Sequence, residues 1–194
     1  MRKIIIIILV IIAALLILGG VIMSFLLNKI DNMEPEIVPL QEPIKFAGMS
    51  VNTDVKKIYR DAAKLGKDYV QFKETNNIPN LKDPWAFVAY SRDFDEKTRS
   101  WEYLMGDVVT SLDSVPQGLK GYEIPAGEYA IFKIKAKFKL LWGLEIGRMK
   151  KYVFEEWLPN SRYESTGIEF EYHDKRSKGK NPSIDLYVGI KEKH

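Results

Sequence analysis

The chain contains no cysteine. That excludes a disulfide framework, a thiol nucleophile and a cysteine-ligated zinc site. Histidine is almost as scarce: His173 and the C-terminal His194 are the only two, which excludes a histidine-rich metal centre. No glycine-rich phosphate-cradling loop is present, and no cofactor is expected. An excess of one charge is missing as well. Net charge is +3, and Arg2 with Lys3 supply two of those charges. So balanced a remainder lacks the basic footprint of a nucleic-acid binder.

What the sequence does have begins with a long apolar run. Residues 4–27, IIIIILVIIAALLILGGVIMSFLL, carry no charge. At about 1.5 Å per residue such a helix crosses a hydrocarbon core roughly 30 Å thick. A cleavable signal peptide would have a shorter apolar region and a small-x-small site, and no clear site follows Leu27. Residues 1–30 are therefore expected to be an uncleaved membrane anchor. Arg2 and Lys3 precede the run, which predicts a cytoplasmic N-terminus and an extracytoplasmic C-terminal domain. Residues 31–43 contain three prolines counting Pro35, Pro39 and Pro43, and read as an extended linker. Residues 44–194 are enough for one domain with a real core.

Within that domain one element order occurs twice. IKFAGMSV reads as a strand. Val55, Ile58, Ala62, Leu65 and Tyr69 then recur at helical spacing, with Asp54 as a candidate N-cap. WAFVAYS and WEYLMGDVVTS follow as strands. In the second copy GEYAIFKIKAKF is a strand, and Trp142, Ile146, Met149, Val153 and Trp157 recur at helical spacing until LPNS. GIEFEYHDK and SIDLYVGIK are the closing strands. The expected fold is α+β: duplicated strand–helix–strand–strand units, giving two small antiparallel sheets with two covering helices and a central cleft.

Five segments occur in order: VAYSRDFDEKTRSWEYLMGDVV, VPQGLKGYEIPAGEYAIFKI, VFEEWLPNSRYE, FEYHDKR and IDLYVGIK. Together they resemble the GyrI-like, or AraC-type, effector-binding domain, the ligand-sensing half of multidrug-responsive transcription regulators. The resemblance covers residues 44–194. It implies a duplicated unit around a central cleft, with a strand glutamate at an aromatic floor. Phe170, Glu171 and Asp174 fit that strand pattern; His173 stands where tyrosine is common and Gly189 where proline or tryptophan often stands. The regulators carry a helix-turn-helix module in front of this domain. Here the apolar run stands in that place, which excludes a transcription factor of that build.

Strand alternation adds an independent reading. Ile168, Phe170 and Tyr172 take one face, and Glu169, Glu171 and His173 the other. Ile184, Leu186, Val188 and Ile190 share the face expected to meet a helix, leaving Tyr187 opposite. If helices cover the aliphatic faces, the remaining faces bring Trp101, Tyr103, Tyr187 and Glu171 together. Aromatic rings with one acid suit a flat, cationic, amphiphilic small molecule. The plainer alternative is a solvated glutamate beside aromatics that pack a core. Two further functions stay open. Some stand-alone members of the family are hydrolases of electrophilic small molecules, which would make Glu171 and Tyr103 catalytic and needs a partly buried carboxylate of raised pKa. A protein-interaction module is the other.

Overall fold

The computed structural model describes residues 12–13, 16–20, 33–135 and 142–193. The chain divides into two units, residues 1–33 and 34–194. In the first, residues 12–13 and 16–20 are helical. The rest of the expected span 4–27 lies outside the described residues. No helix among the described residues is long and apolar enough to cross a membrane.

The second unit is built from strands β1 (Glu36–Leu40), β2 (Ile44–Asp54), β3 (Phe87–Asp95), β4 (Ser100–Val108), β5 (Lys120–Ile124), β6 (Gly127–Lys135), β7 (Tyr163–His173) and β8 (Ser183–Glu192). Helix α1 (Ile58–Thr75) follows β2. Helix α2 (Trp142–Tyr152) runs on through a π-helical turn, Val153–Trp157, into a single turn α3, Leu158–Asn160. The strand–helix–strand–strand order therefore occurs twice, as β2–α1–β3–β4 and β6–α2–β7–β8. Asp54 does not cap α1. It accepts the amides of Lys56 and Lys57 at 2.8 and 3.1 Å and so holds the turn that leads into the helix.

The expectation of two small sheets is corrected. All strands join one antiparallel sheet in the order β1-β6-β8-β7-β3-β4-β2-β5. The halves fuse at the centre because β3 pairs with β7, Ala89 opposite Glu171. Two strands were hidden in the sequence. β1 lies inside the expected linker, where Glu36 to Leu40 pair with Ile131 to Gly127 of β6. Its Pro39 lacks an amide donor and is tolerated because β1 is an edge. β5 is the opposite edge, paired with β2.

That order has a geometric consequence. β5 ends the row and β6 stands next to its other end, yet only Pro125 and Ala126 separate them in the chain. A step of so few residues spans about 10 Å at most. The sheet must therefore roll until its margins approach each other. The closely opposed glycines Gly48 and Gly106 sit in the β2–β4 ladder, where a Cβ on either would run into the partner's backbone. Inside the roll Phe46, Val88, Tyr90, Leu104, Ile124, Tyr129 and Phe170 form a buried cluster. Phe46 stacks on Tyr122 at 5.2 Å, and Phe170 on Tyr187 at 4.5 Å. Both helices lie on the outer face. Tyr69 of α1 donates its hydroxyl to the Ala47 carbonyl at 3.1 Å. Tyr152 and Trp157 meet the Phe132 ring edge-on at 6.4 and 5.1 Å.

Candidate functional site

The outer face of the central strands carries its side chains in three cross-strand rows. Register places Glu169, Ser91 and Tyr103 in one row, and Glu171, Ala89 and Met105 in the next. His173, Phe87 and Asp107 form the third. Strand alternation thus puts Trp101 and Tyr103 of β4 on the same face as Glu169 and Glu171 of β7. α1 and α2 flank this face, so the cleft opens on the helix-covered side.

Tyr187 is the correction. The sequence pattern groups it with Glu171 only if helices cover the aliphatic faces. In the structure the helices cover the face that carries Glu171, and Leu186 shares that face through its register with Glu171. Tyr187 projects into the roll instead, between Phe170, Tyr129 and Tyr172. Burial there pushes its phenol up to about 12. It packs, partly buried, against the core inside the roll, while Trp101, Tyr103 and Glu171 share the outer face.

Above the first row lies a cavity of about 570 Å³. Phe94, Trp101 and Phe154 supply its aromatic walls, Val55 an aliphatic one, and Arg92, Glu96, Lys150 and Glu169 its charge. Phe94 and Phe154 are 56% and 40% exposed. Gly167 lines it too, at φ +81°, in the bulge where the β7–β8 register shifts between Ser165 and Glu169. A side chain there would strain the backbone. The indole N–H of Trp101 is buried with no acceptor.

The charges beneath the cavity form one network. Lys150 Nζ lies 2.5 Å from Glu169 Oε1 and 3.4 Å from Glu171 Oε1. His173 Nε2 lies 3.6 Å from the other Glu171 oxygen. Glu171 is only 7% exposed. Burial alone would raise its carboxyl, but Lys150 and His173 outweigh that and hold it below the usual value. Burial likewise disfavours the Lys150 ammonium, and the two glutamates reverse this and raise its pKa. Burial first and Glu171 second push the Tyr103 phenol up, so it stays protonated. Arg92 is committed to Glu102 at 2.6 Å.

Lys150 is the residue that sequence reasoning missed. Its signal was faint but present: it stands four residues after Ile146 and three before Val153, on the margin of the apolar stripe of α2. Sequence alone could not say what it faces. Asp174, the other acid of the strand motif, is not in the cleft. It caps the 3₁₀ turn Lys175–Lys178 and pairs with Arg176 at 2.8 Å.

Known proteins resemble this chain in sequence or in fold. The transcriptional regulator BrlR of Pseudomonas aeruginosa is 27% identical over 107 residues, covering 53% of this chain and 38% of that protein. The chain thus spans well under half the length of this curated relative. An integron cassette protein from the mobile metagenome of Vibrio cholerae superposes with a TM-score of 0.58 at 14% identity, over 83% of this chain and all of that one. SAV2435, solved with tetraphenylphosphonium bound, gives 0.56 at 9% identity, over 82% and 94%. These likenesses at low identity show the fold. Residues 36–190 match the family described as Cass2, integron-associated effector binding protein, and with so much of the chain matched it belongs to that family.

Proposed function

We propose that this protein is a binding domain for cationic, ring-containing, amphiphilic small molecules, taken into the cleft beside α2. One observation carries the reading. Two carboxylates, Glu169 and Glu171, share a single ammonium beneath an aromatic-walled cavity of about 570 Å³. The carboxylates outnumber the ammonium by one negative charge. An uncompensated buried charge is costly, and a ligand cation relieves it. Phe94, Trp101 and Phe154 offer ring faces for stacking and cation–π contact. SAV2435, which has the same fold, was solved with an aromatic monocation. Residues 4–27 would hold the domain at a membrane, N-terminus in the cytoplasm and binding domain outside.

The hydrolase alternative asked for a carboxylate of raised pKa at Glu171. The ion pair with Lys150 lowers it instead, so the geometry favours charge recognition over proton transfer.

The test is titration calorimetry of the full-length protein in mild detergent against tetraphenylphosphonium and the neutral triphenylphosphine oxide, with detergent-only blanks. Glu171→Gln should weaken the cation by about 1–3 kcal/mol, the scale of a charged contact. The neutral compound should lose much less. Equal losses for both would make Glu171 a structural residue only.

A further inference from the structure

The carboxylates under the cavity already hold a cation, and it belongs to the protein. Lys150 lines the cavity, whereas Glu171 lies behind it. A ligand's positive group cannot approach Glu171 while the Lys150 ammonium stands between them. We propose that Lys150 is a tethered competitor for the cation site and the residue that sets which cations are admitted. This rests on the cationic-ligand reading above.

Exchange chemistry gives the proposal its content. Lysine carries a compact, strongly hydrated charge on a flexible stem, with no rigid fork to lock it in place. The ammonium is drawn down onto the glutamates, but the Lys150 side chain as a whole is 28% exposed, so its stem can swing outward and the ammonium regains hydration when displaced. A free primary amine is chemically the same as Lys150. It gains nothing by the exchange and must overcome a tethered rival at an effective concentration in the millimolar range or above. A bulky cation with delocalised or shielded charge differs. It surrenders little hydration on entry and adds ring contacts with Trp101, Phe94 and Phe154. Lys150 therefore screens out abundant hydrophilic amines and admits lipophilic aromatic cations. The other charges facing this point do not take over its role. Arg92 is held by Glu102 and Asp93, and Glu96 only adds to the negative excess.

The test compares wild type with Lys150→Met in full-length protein, again with detergent blanks. Three probes are titrated: tetraphenylphosphonium, 2-phenylethylamine and triphenylphosphine oxide. The variant should bind tetraphenylphosphonium at least about tenfold more tightly, and the phenylethylamine should gain more than the phosphonium. The neutral probe should be unchanged. Lys150→Met leaves two carboxylates facing each other, so the double variant K150M/E169Q, which keeps one, is measured in parallel and read in its place if the single variant fails to fold. An unchanged or weaker phosphonium affinity in a folded variant overturns the competitor role and leaves the ligand reading standing. Absence of phosphonium binding in wild type and both variants overturns both.

Discussion

Two helix lysines reach down to sheet carboxylates, and they are built differently. Under α1, Lys73 pairs with Asp107, one cation to one acid. The surroundings of Asp107 are complete: its amide donates to the Tyr69 hydroxyl at 2.9 Å, and that hydroxyl donates to Ala47. The cavity beside this pair is only about 260 Å³. Under α2, Lys150 serves two acids, and the space above is more than twice as large. A balanced pair beside a smaller space ties a helix to a sheet. The proposed binding role rests on the other kind, an unbalanced set beside a larger aromatic space.

Breaking each pair should separate the two roles. The largest effect is expected from Lys150→Met, which takes the ammonium away from buried Glu171 and half-buried Glu169, at a cost of about 3–5 kcal/mol. Lys73→Met should cost less, because it strands one acid rather than two and the lysine end of the pair is 38% exposed. Urea denaturation at several pH values gives both numbers and their sign. In wild type the Glu171 carboxyl is held below its ordinary 4.5, so its contribution is present above that pH and is lost as pH falls through the folded value. In Lys150→Met burial and mutual repulsion raise the carboxyls instead. The variant should then be most destabilised near pH 8 and recover toward pH 5. A pH-independent loss would show that the lysine stem matters, not its charge.

Ligand binding sharpens the comparison further. Asp107→Asn should change tetraphenylphosphonium affinity by less than about twofold, against the 1–3 kcal/mol expected for Glu171→Gln. Similar losses at both positions would mean a diffuse field rather than a site. A smaller effect is expected at Trp101→Phe. The change removes a buried N–H that has no acceptor, which is favourable, and some packing volume, which is not. Thermal melting should place the net change within about 1 kcal/mol. A fragment beginning at Glu34 should fold alone, since the unit 34–194 contains α1, α2, α3 and every strand described. A fragment that only aggregates would move the domain boundary.

Much of this was legible in the sequence. The two helical stripes and the alternation of β7 and β8 come directly from residue spacing, and so does the face shared by Glu169, Glu171 and His173. What could not be read was tertiary. Glu-Ile-Val-Pro-Leu carries a proline at its fourth place and looks like linker until an edge position explains it. The single rolled sheet depends on the β3–β7 pairing, which no local pattern announces. Tyr187 was misplaced for the same reason: alternation says that it opposes Leu186, but only the roll says which face is inside. Lys150 looked like one more surface lysine, because its partners lie on a strand about twenty residues away in the chain.

The Pro125–Ala126 step that draws the sheet's margins together also acts as a mechanical restraint. A hoop tied at its seam cannot flatten to widen the cleft without tearing hydrogen bonds or stretching two residues past their reach. Accommodation of guests of different girth is thus left to the rim, where Phe94 and Phe154 are partly exposed and can swing on two torsions each. Breadth of recognition in this domain would come from two turning rings on a stiff frame, and tightening either ring by mutation should narrow the range of guests without loosening the frame.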